Sequence, residues 1–211
     1  MAKRWSRLIM GIACGLALAG PSVGQCGMLL NEVLADPDRD WDGDGSVSSR
    51  NDEWVEVVAT ESLTADGYFL GDESGGFVYG FSGPLGVGEV QVVYGGEATA
   101  WETENGESAT GLRLGNTGDT VTLWQVVGAD TTLVDSYTFL DHEAENDRSS
   151  GRLPDGSGGW ALFDGLTPYG GDTVPVGTGL LPTPGTANGE DVPTPTVSLT
   201  WGQIKALYDP E

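Results

Sequence analysis

Cysteine, histidine and basic residues are scarce in this chain, and each shortage removes a class of chemistry. The 211 residues hold 2 cysteines and 1 histidine, too few soft or imidazole ligands for a zinc or copper centre. Lys and Arg number 9 against 32 Asp and Glu, a formal charge of -23. A surface of that sign repels phosphate backbones, so nucleic acid is excluded as a partner class, while cations are concentrated. Only one apolar run is long, Leu8 to Ala19, and it is too short to anchor in a bilayer; no integral span is expected once it is removed. Charged residues make up only 19%, against the composition of a helical bundle.

What is present begins with a leader. Lys3, Arg4 and Arg7 precede the apolar run, and Ser22-Val-Gly24 supplies a small-residue cleavage site. Residues 1–24 are therefore expected to be a signal peptide, helical in its apolar part and separate from the fold. Export follows, with secretion or the cell surface as destination. Without those three basic residues the remaining 6 face 32 acids, near -26. Cys14 leaves with the leader, so no internal disulfide can form and Cys26 is the single thiol left. Val23-Gly24-Gln25-Cys26 loosely follows a lipid-attachment box, but Gln25 is larger than such a box takes before its cysteine; plain cleavage is the preferred alternative.

Gly at 34 residues and Pro at 11 point to many short strands joined by tight turns. Strands are expected at 28–35, 53–59, 68–70, 77–81, 87–94, 112–114, 120–127, 132–137 and 160–163, punctuated by Asp66-Gly67, Gly95-Gly96, Gly128-Ala-Asp130 and Pro154-Asp-Gly156. That spacing predicts an all-β, antiparallel β-sandwich. Its expected core includes Trp54, Phe69, Val92, Leu114, Val121, Leu123, Val134, Tyr137 and Trp160. Trp41 and Trp101 lie in polar stretches and are expected on the surface. Residues 97–110 and 140–150 show no periodicity and are expected to be irregular insertions, the second carrying His142 among acids. A Pro/Thr-rich linker is expected over 189–198, and Trp201, Ile204 and Tyr208 share one face of a short C-terminal helix over 199–209.

Between the first two strands stands the most informative segment. Aspartates occupy alternate positions 36, 38, 40, 42 and 44, and carboxylates so close repel strongly unless a cation neutralises them. Asp40-x-Asp42-x-Asp44-Gly45 reproduces the first half of a calcium loop, with oxygens at loop positions 1, 3 and 5 and a turn-making glycine at 6. Counting on places the Ser46 carbonyl at 7, Ser48 at 9 and Asn51 at 12. The bidentate Glu usual at 12 is absent, leaving Asp52 or Glu53 to complete the shell, or a weak site of the extracellular type. Asp38-x-Asp40-x-Asp42-Gly43 offers a second register. Hard oxygen donors select Ca2+, and the expected ligands are Asp40, Asp42, Asp44, Ser46, Ser48, Asn51 and Asp52. The bland alternative is a solvated acidic turn.

Several stretches together carry a resemblance. Leu30-Asn-Glu-Val-Leu-Ala-Asp-Pro37, Asp52-Glu-Trp-Val-Glu56, Leu114-Gly-Asn-Thr-Gly-Asp-Thr-Val-Thr-Leu123, Ser149-Ser-Gly-Arg-Leu-Pro-Asp-Gly156 with Trp160, and Pro182-Thr-Pro-Gly-Thr-Ala-Asn188 follow one another in this order. Over 28–188 the chain resembles a bacterial lamin tail domain. That resemblance implies an immunoglobulin-like β-sandwich, a non-catalytic role, and an acidic loop between the first two strands similar to Asp40–Gly45. The chain departs from the pattern at Asp42, Ser48 and Asn51, which shifts charge toward the start of the loop.

The leading expectation is an exported, calcium-stabilised, non-catalytic module that binds or scaffolds an extracellular or cell-surface protein or glycan. An alternative is a calcium-dependent, lectin-like carbohydrate-binding module using Trp41. A secreted hydrolase is the weakest of the three: acids abound, but no nucleophile elbow, His dyad or HExxH motif accompanies them.

Overall fold

The computed structural model describes residues 27–71, 76–171 and 177–189. The leader, Cys26, the helix expected at 199–209 and all but the first residue of the linker lie outside the described residues. The fold is all-β. Its strands are β1 (Met28–Leu34), β2 (Trp54–Ala59), β3 (Leu63–Thr64), β4 (Tyr68–Gly71), β5 (Phe77–Gly80), β6 (Pro84–Leu85), β7 (Val90–Tyr94), β8 (Gly118–Val127), β9 (Asp130–Leu140), β10 (Ser149–Leu153) and β11 (Gly159–Phe163). Among the described residues one α-helix, α1 (Gly95–Glu104), follows β7, and a 3-10 turn covers Asp141–Glu143.

Pairing is antiparallel throughout. A five-stranded sheet runs β11-β10-β1-β2-β7, a four-stranded sheet runs β5-β4-β8-β9, and β3 pairs with β6 as a short ribbon. One continuous apolar cluster draws on both larger sheets. It takes Leu30, Val33, Val55, Val57 and Val93 from the first, and Leu70, Val78, Val121, Leu123 and Phe139 from the second. Alternation explains the register: Val55 and Val57 share one face of β2, whereas Trp54, Glu56 and Val58 share the other.

That second face of β2 is not wet. All six residues of β2 are buried, and on this face Leu34, Trp54, Val58 and Phe163 are buried outside the main cluster, Trp54, Leu34 and Phe163 lying in register across the sheet through Ser149. A register shift between Leu30 and Glu32 in the β1–β2 pairing marks a bulge at Asn31. The extra residue turns Glu32 away from the face occupied by Leu30, to stand opposite Glu56. Residues 182–188 then cross this face as a strap, with the Gly185 amide donating to Glu56 Oε2 at 2.7 Å.

Four local expectations are corrected. Residues 112–114 form no strand: Arg113 adopts a φ of 54°, which breaks extended alternation, although Leu112 and Leu114 still reach the core. The segment expected to be irregular after 97 is largely α1, its start closed by Glu97 reaching back to the Tyr94 amide at 3.1 Å. The insertion at 140–150 ends in β10, a strand of polar residues whose buried side supplies hydrogen bonds instead of apolar contact. Phe69 and Val92 are half-buried on the faces opposite the core; Tyr68, Leu70 and Val93 point inward instead. Among the described residues no helix is long and apolar enough to cross a membrane.

Candidate metal centre

The acidic loop links two adjacent strands, since Leu34 and Trp54 are direct partners in the β1–β2 ladder. A connection this long needs internal supports, and two buried aspartates provide them. Asp147, from the turn before β10, accepts the Asp38 amide at 2.9 Å, Arg39 Nε at 3.0 Å and Trp41 Nε1 at 2.8 Å. Its own amide donates to the Asp36 carbonyl at 2.8 Å. Asp52 supports the other half: Oδ1 accepts the amides of Trp41 at 2.6 Å and Asp42 at 3.0 Å, and Oδ2 that of Ser48 at 2.7 Å. Buried carboxylates of this kind stand in for the backbone partners that a loop lacks.

With the loop so held, Asp40, Asp42 and Asp44 converge. One oxygen of each lies within 4.8 Å of the other two. Calcium takes oxygens at about 2.3–2.6 Å, so ligands around one ion stand no more than about 5 Å apart, and the trio fits that limit. Asp40 and Asp44 are exposed and Asp42 half-buried. The turn beneath is closed by the Gly45 amide donating to Asp40 Oδ2 at 2.9 Å and the Asp44 amide to Asp42 Oδ1 at 2.9 Å. Both glycines take positive φ, 75° at Gly43 and 94° at Gly45, the geometry a side chain resists. Asp38 is not in the trio, which favours the register beginning at Asp40 over the one beginning at Asp38.

The other predicted ligands are placed differently. Ser46 joins the edge of the cluster, its hydroxyl and amide donating to Asp44 Oδ1 at 2.7 and 2.8 Å. Ser48 Oγ caps the next turn by accepting the Asn51 amide at 3.1 Å. Asn51 lies against the start of α1, its carbonyl accepting the Gly96 amide at 3.2 Å. Asp52 is a support beneath the loop, with three amides on its two oxygens. Trp41, expected on the surface, is half-buried: its ring lies 6.1 Å from that of Trp54 and its N–H is committed to Asp147. Asp147 was not legible as part of this region, because it lies about a hundred residues downstream in an acid-rich stretch with no motif.

Charge follows the same geometry. The Asp44 carboxyl is held below the ordinary range by the Ser46 hydroxyl and amide. At Asp42 the Asp44 amide pulls downward, but desolvation and the charges of Asp44, Asp52 and Asp40 together leave the carboxyl raised.

Deeper in the same sheet lie three further buried carboxyls. Burial pushes Glu53 up to about 8 despite the amides of Leu114 and Arg113, and Glu56 up to about 8 despite the Asn31 side chain and the Gly185 amide. Burial likewise raises Glu32 to about 7 against hydrogen bonds from Ser149 and Thr183. Glu32, Glu56 and Asp155 all bond to the strap: Thr183 Oγ1 donates to Glu32 Oε2 at 2.9 Å, and the Asn188 amide to Asp155 Oδ1 at 3.1 Å. Asn31 ties the group together, donating to Glu56 at 2.7 Å and to Asp155 at 3.1 Å.

Compared with known proteins, the chain matches no family model, no curated protein and no solved structure.

Proposed function

We propose that this chain is an exported, non-catalytic module of the lamin-tail type, an immunoglobulin-like β-sandwich whose acidic loop binds Ca2+ and which binds or scaffolds a partner outside the cytoplasm. The observation that carries the metal assignment is the convergence of Asp40, Asp42 and Asp44 within 4.8 Å, on a loop already organised by Asp52 and Asp147. Such a loop needs little rearrangement to receive the ion. Calcium would neutralise the trio and fix the β1–β2 connection as a rigid feature of the surface. Ser46, Ser48 and Asn51 are its proposed further ligands through backbone or side-chain oxygens, with solvent completing the shell.

Support for the fold family comes from the strap network. The stretches that resemble the family lie far apart in sequence, yet Asn31, Glu32, Glu56, Ser149, Asp155, Thr183, Gly185 and Asn188 from four of them meet in one hydrogen-bonded group. An ion that binds only the folded state must stabilise it. Thermal unfolding in millimolar calcium and in excess EDTA tests this directly: a higher midpoint with calcium is expected, and equal midpoints would remove the metal from the account.

A further inference from the structure

A second candidate site lies away from the acidic loop, where α1 and the turn after it meet the edge strand β5. Trp101 projects from α1 onto the strand at Gly80, where a Cβ would stand 3.0 Å from the indole Cζ2 and Nε1. Glycine at that position lets the ring rest on bare backbone. Phe69 meets the indole edge-on at 6.2 Å and stacks on Phe77 at 4.6 Å, and Tyr79 lies 6.4 Å from Trp101. All four rings are half-buried.

A cleft of about 320 Å³ is lined by the aromatic Trp101 and Phe77 and by a polar part made of Glu107, Ser108, Thr110 and Arg113. This polar part is built, not draped. The buried Glu102 accepts the Thr110 hydroxyl at 2.7 Å and the Gly111 amide at 2.7 Å, clamping the turn to the helix. Arg113 is exposed, sits at a φ of 54°, and makes no ion pair among the described residues. A long side chain held in a disfavoured backbone state and left unpaired, in a chain with 32 acids, is poised for something outside the molecule.

The lining selects the ligand. Flat aromatic faces suit the C–H face of a pyranose ring, while carboxylate, hydroxyl and guanidinium groups at the rim suit its hydroxyl edge. A purely apolar ligand would leave Glu107 and Arg113 desolvated without partners. An anionic polymer would meet Glu107 and the field of a chain at -23. Both signs of charge beside aromatic walls match a neutral saccharide, and the volume, at the small end of ligand clefts, fits a short stretch of one.

We propose that this cleft is a binding subsite for a neutral saccharide, stacked on Trp101 and Phe77 and hydrogen-bonded by Glu107, Ser108 and Arg113. It does not use Asp40, Asp42 or Asp44, so it stands independently of the calcium assignment. Affinity electrophoresis of the mature chain, in excess EDTA, through gels carrying xylan, mixed-linkage glucan, starch or galactomannan tests it, with polyuronate and sulfated gels in parallel. Retardation by at least one neutral polysaccharide is expected. Trp101→Ala should weaken it about tenfold or more, as truncation of a buried aromatic anchor does. Glu107→Ala, on an exposed position, should weaken it severalfold with an unchanged thermal midpoint. No retardation in any neutral gel, retardation confined to the charged gels, or retardation that both variants retain would each overturn the proposal.

Discussion

Gly185 donates its amide to the carboxyl of Glu56 at 2.7 Å, across 129 positions of sequence. A single hydrogen bond thus joins the end of the described chain to the middle of its second strand, from an exposed glycine to a fully buried carboxyl. Glu56→Leu removes the acceptor of the Gly185 amide and leaves one N–H of the buried Asn31 side chain unpaired. Destabilisation of about 2–4 kcal/mol is expected in urea unfolding. Glu56→Gln, which keeps an acceptor without the charge, should cost far less. Equal losses for the two would show that the strap bond is unimportant.

The pH response has a definite sign. Glu32 and Glu56 have folded values near 7 and 8, above the 4.5 of an exposed glutamate. The native state therefore holds protons that the unfolded chain releases, so their stabilising effect is complete below about 4.5 and is lost as pH rises toward 8. Chemical denaturation in excess EDTA should show stability falling between pH 5 and pH 8. The slope should flatten in the Glu32→Gln, Glu56→Gln double variant. A stability that climbs across this window would contradict the burial of these groups as carboxyls.

Gly95 begins a helix, where alanine ordinarily stabilises by about 1 kcal/mol. Here the prediction has the opposite sign. A Cβ at Gly95 would lie 1.9 Å from the Arg50 carbonyl oxygen, so Gly95→Ala must push α1 away from the acidic loop. A loss of about 2–4 kcal/mol is expected, of the size seen for overpacked sites. A neutral or stabilising result in thermal unfolding would mean that α1 does not abut the loop.

Asp147 supports the candidate metal centre without belonging to it. Asp147→Asn leaves a residue tolerant of its φ of 54° but turns one of its two accepting oxygens into a donor, so at least one of the three hydrogen bonds is lost and the rest lose their charge. Stability should fall by about 1–3 kcal/mol. Calcium affinity should fall as well, although none of the three clustered carboxylates has changed. Unaltered affinity would show that the loop holds its shape without this support.

Much of the strand pattern was legible because it depends on local rules. Alternation in Trp54–Ala59 and Val121–Leu123, with glycine and aspartate at the turns, is enough to place β2 and β8. Helix α1 was hidden because Gly95-Gly96 signals a turn and its apolar residues follow no single stripe; neighbouring backbone, not propensity, holds it in place. β10 was hidden for the opposite reason, since Ser149 and Ser150 are buried to bond carboxylates, a role polar composition does not announce. The inversion at Phe69 follows from the same limit. Which face of a strand turns inward is set by the partner sheet and by bulges such as that at Asn31, both of which are non-local. Within the acidic loop the i, i+2, i+4 spacing narrowed the trio to two registers, and the choice between them, like the separation of exposed aspartates from supporting ones, depends on the folded loop. Asp40, Asp42 and Asp44 look identical in sequence to Asp52, and only packing divides them.

The most direct measurement is a calcium titration by calorimetry of residues 25–211 and of their Asp42→Asn variant. Binding of one ion is predicted, with a dissociation constant in the range of about 10⁻⁴–10⁻³ M typical of extracellular sites, weakened about tenfold or more in the variant. Absence of saturable heat up to about 10 mM calcium, ten times the weak end of that range, or equal affinity in the two proteins, would contradict the assignment of this loop as a metal centre.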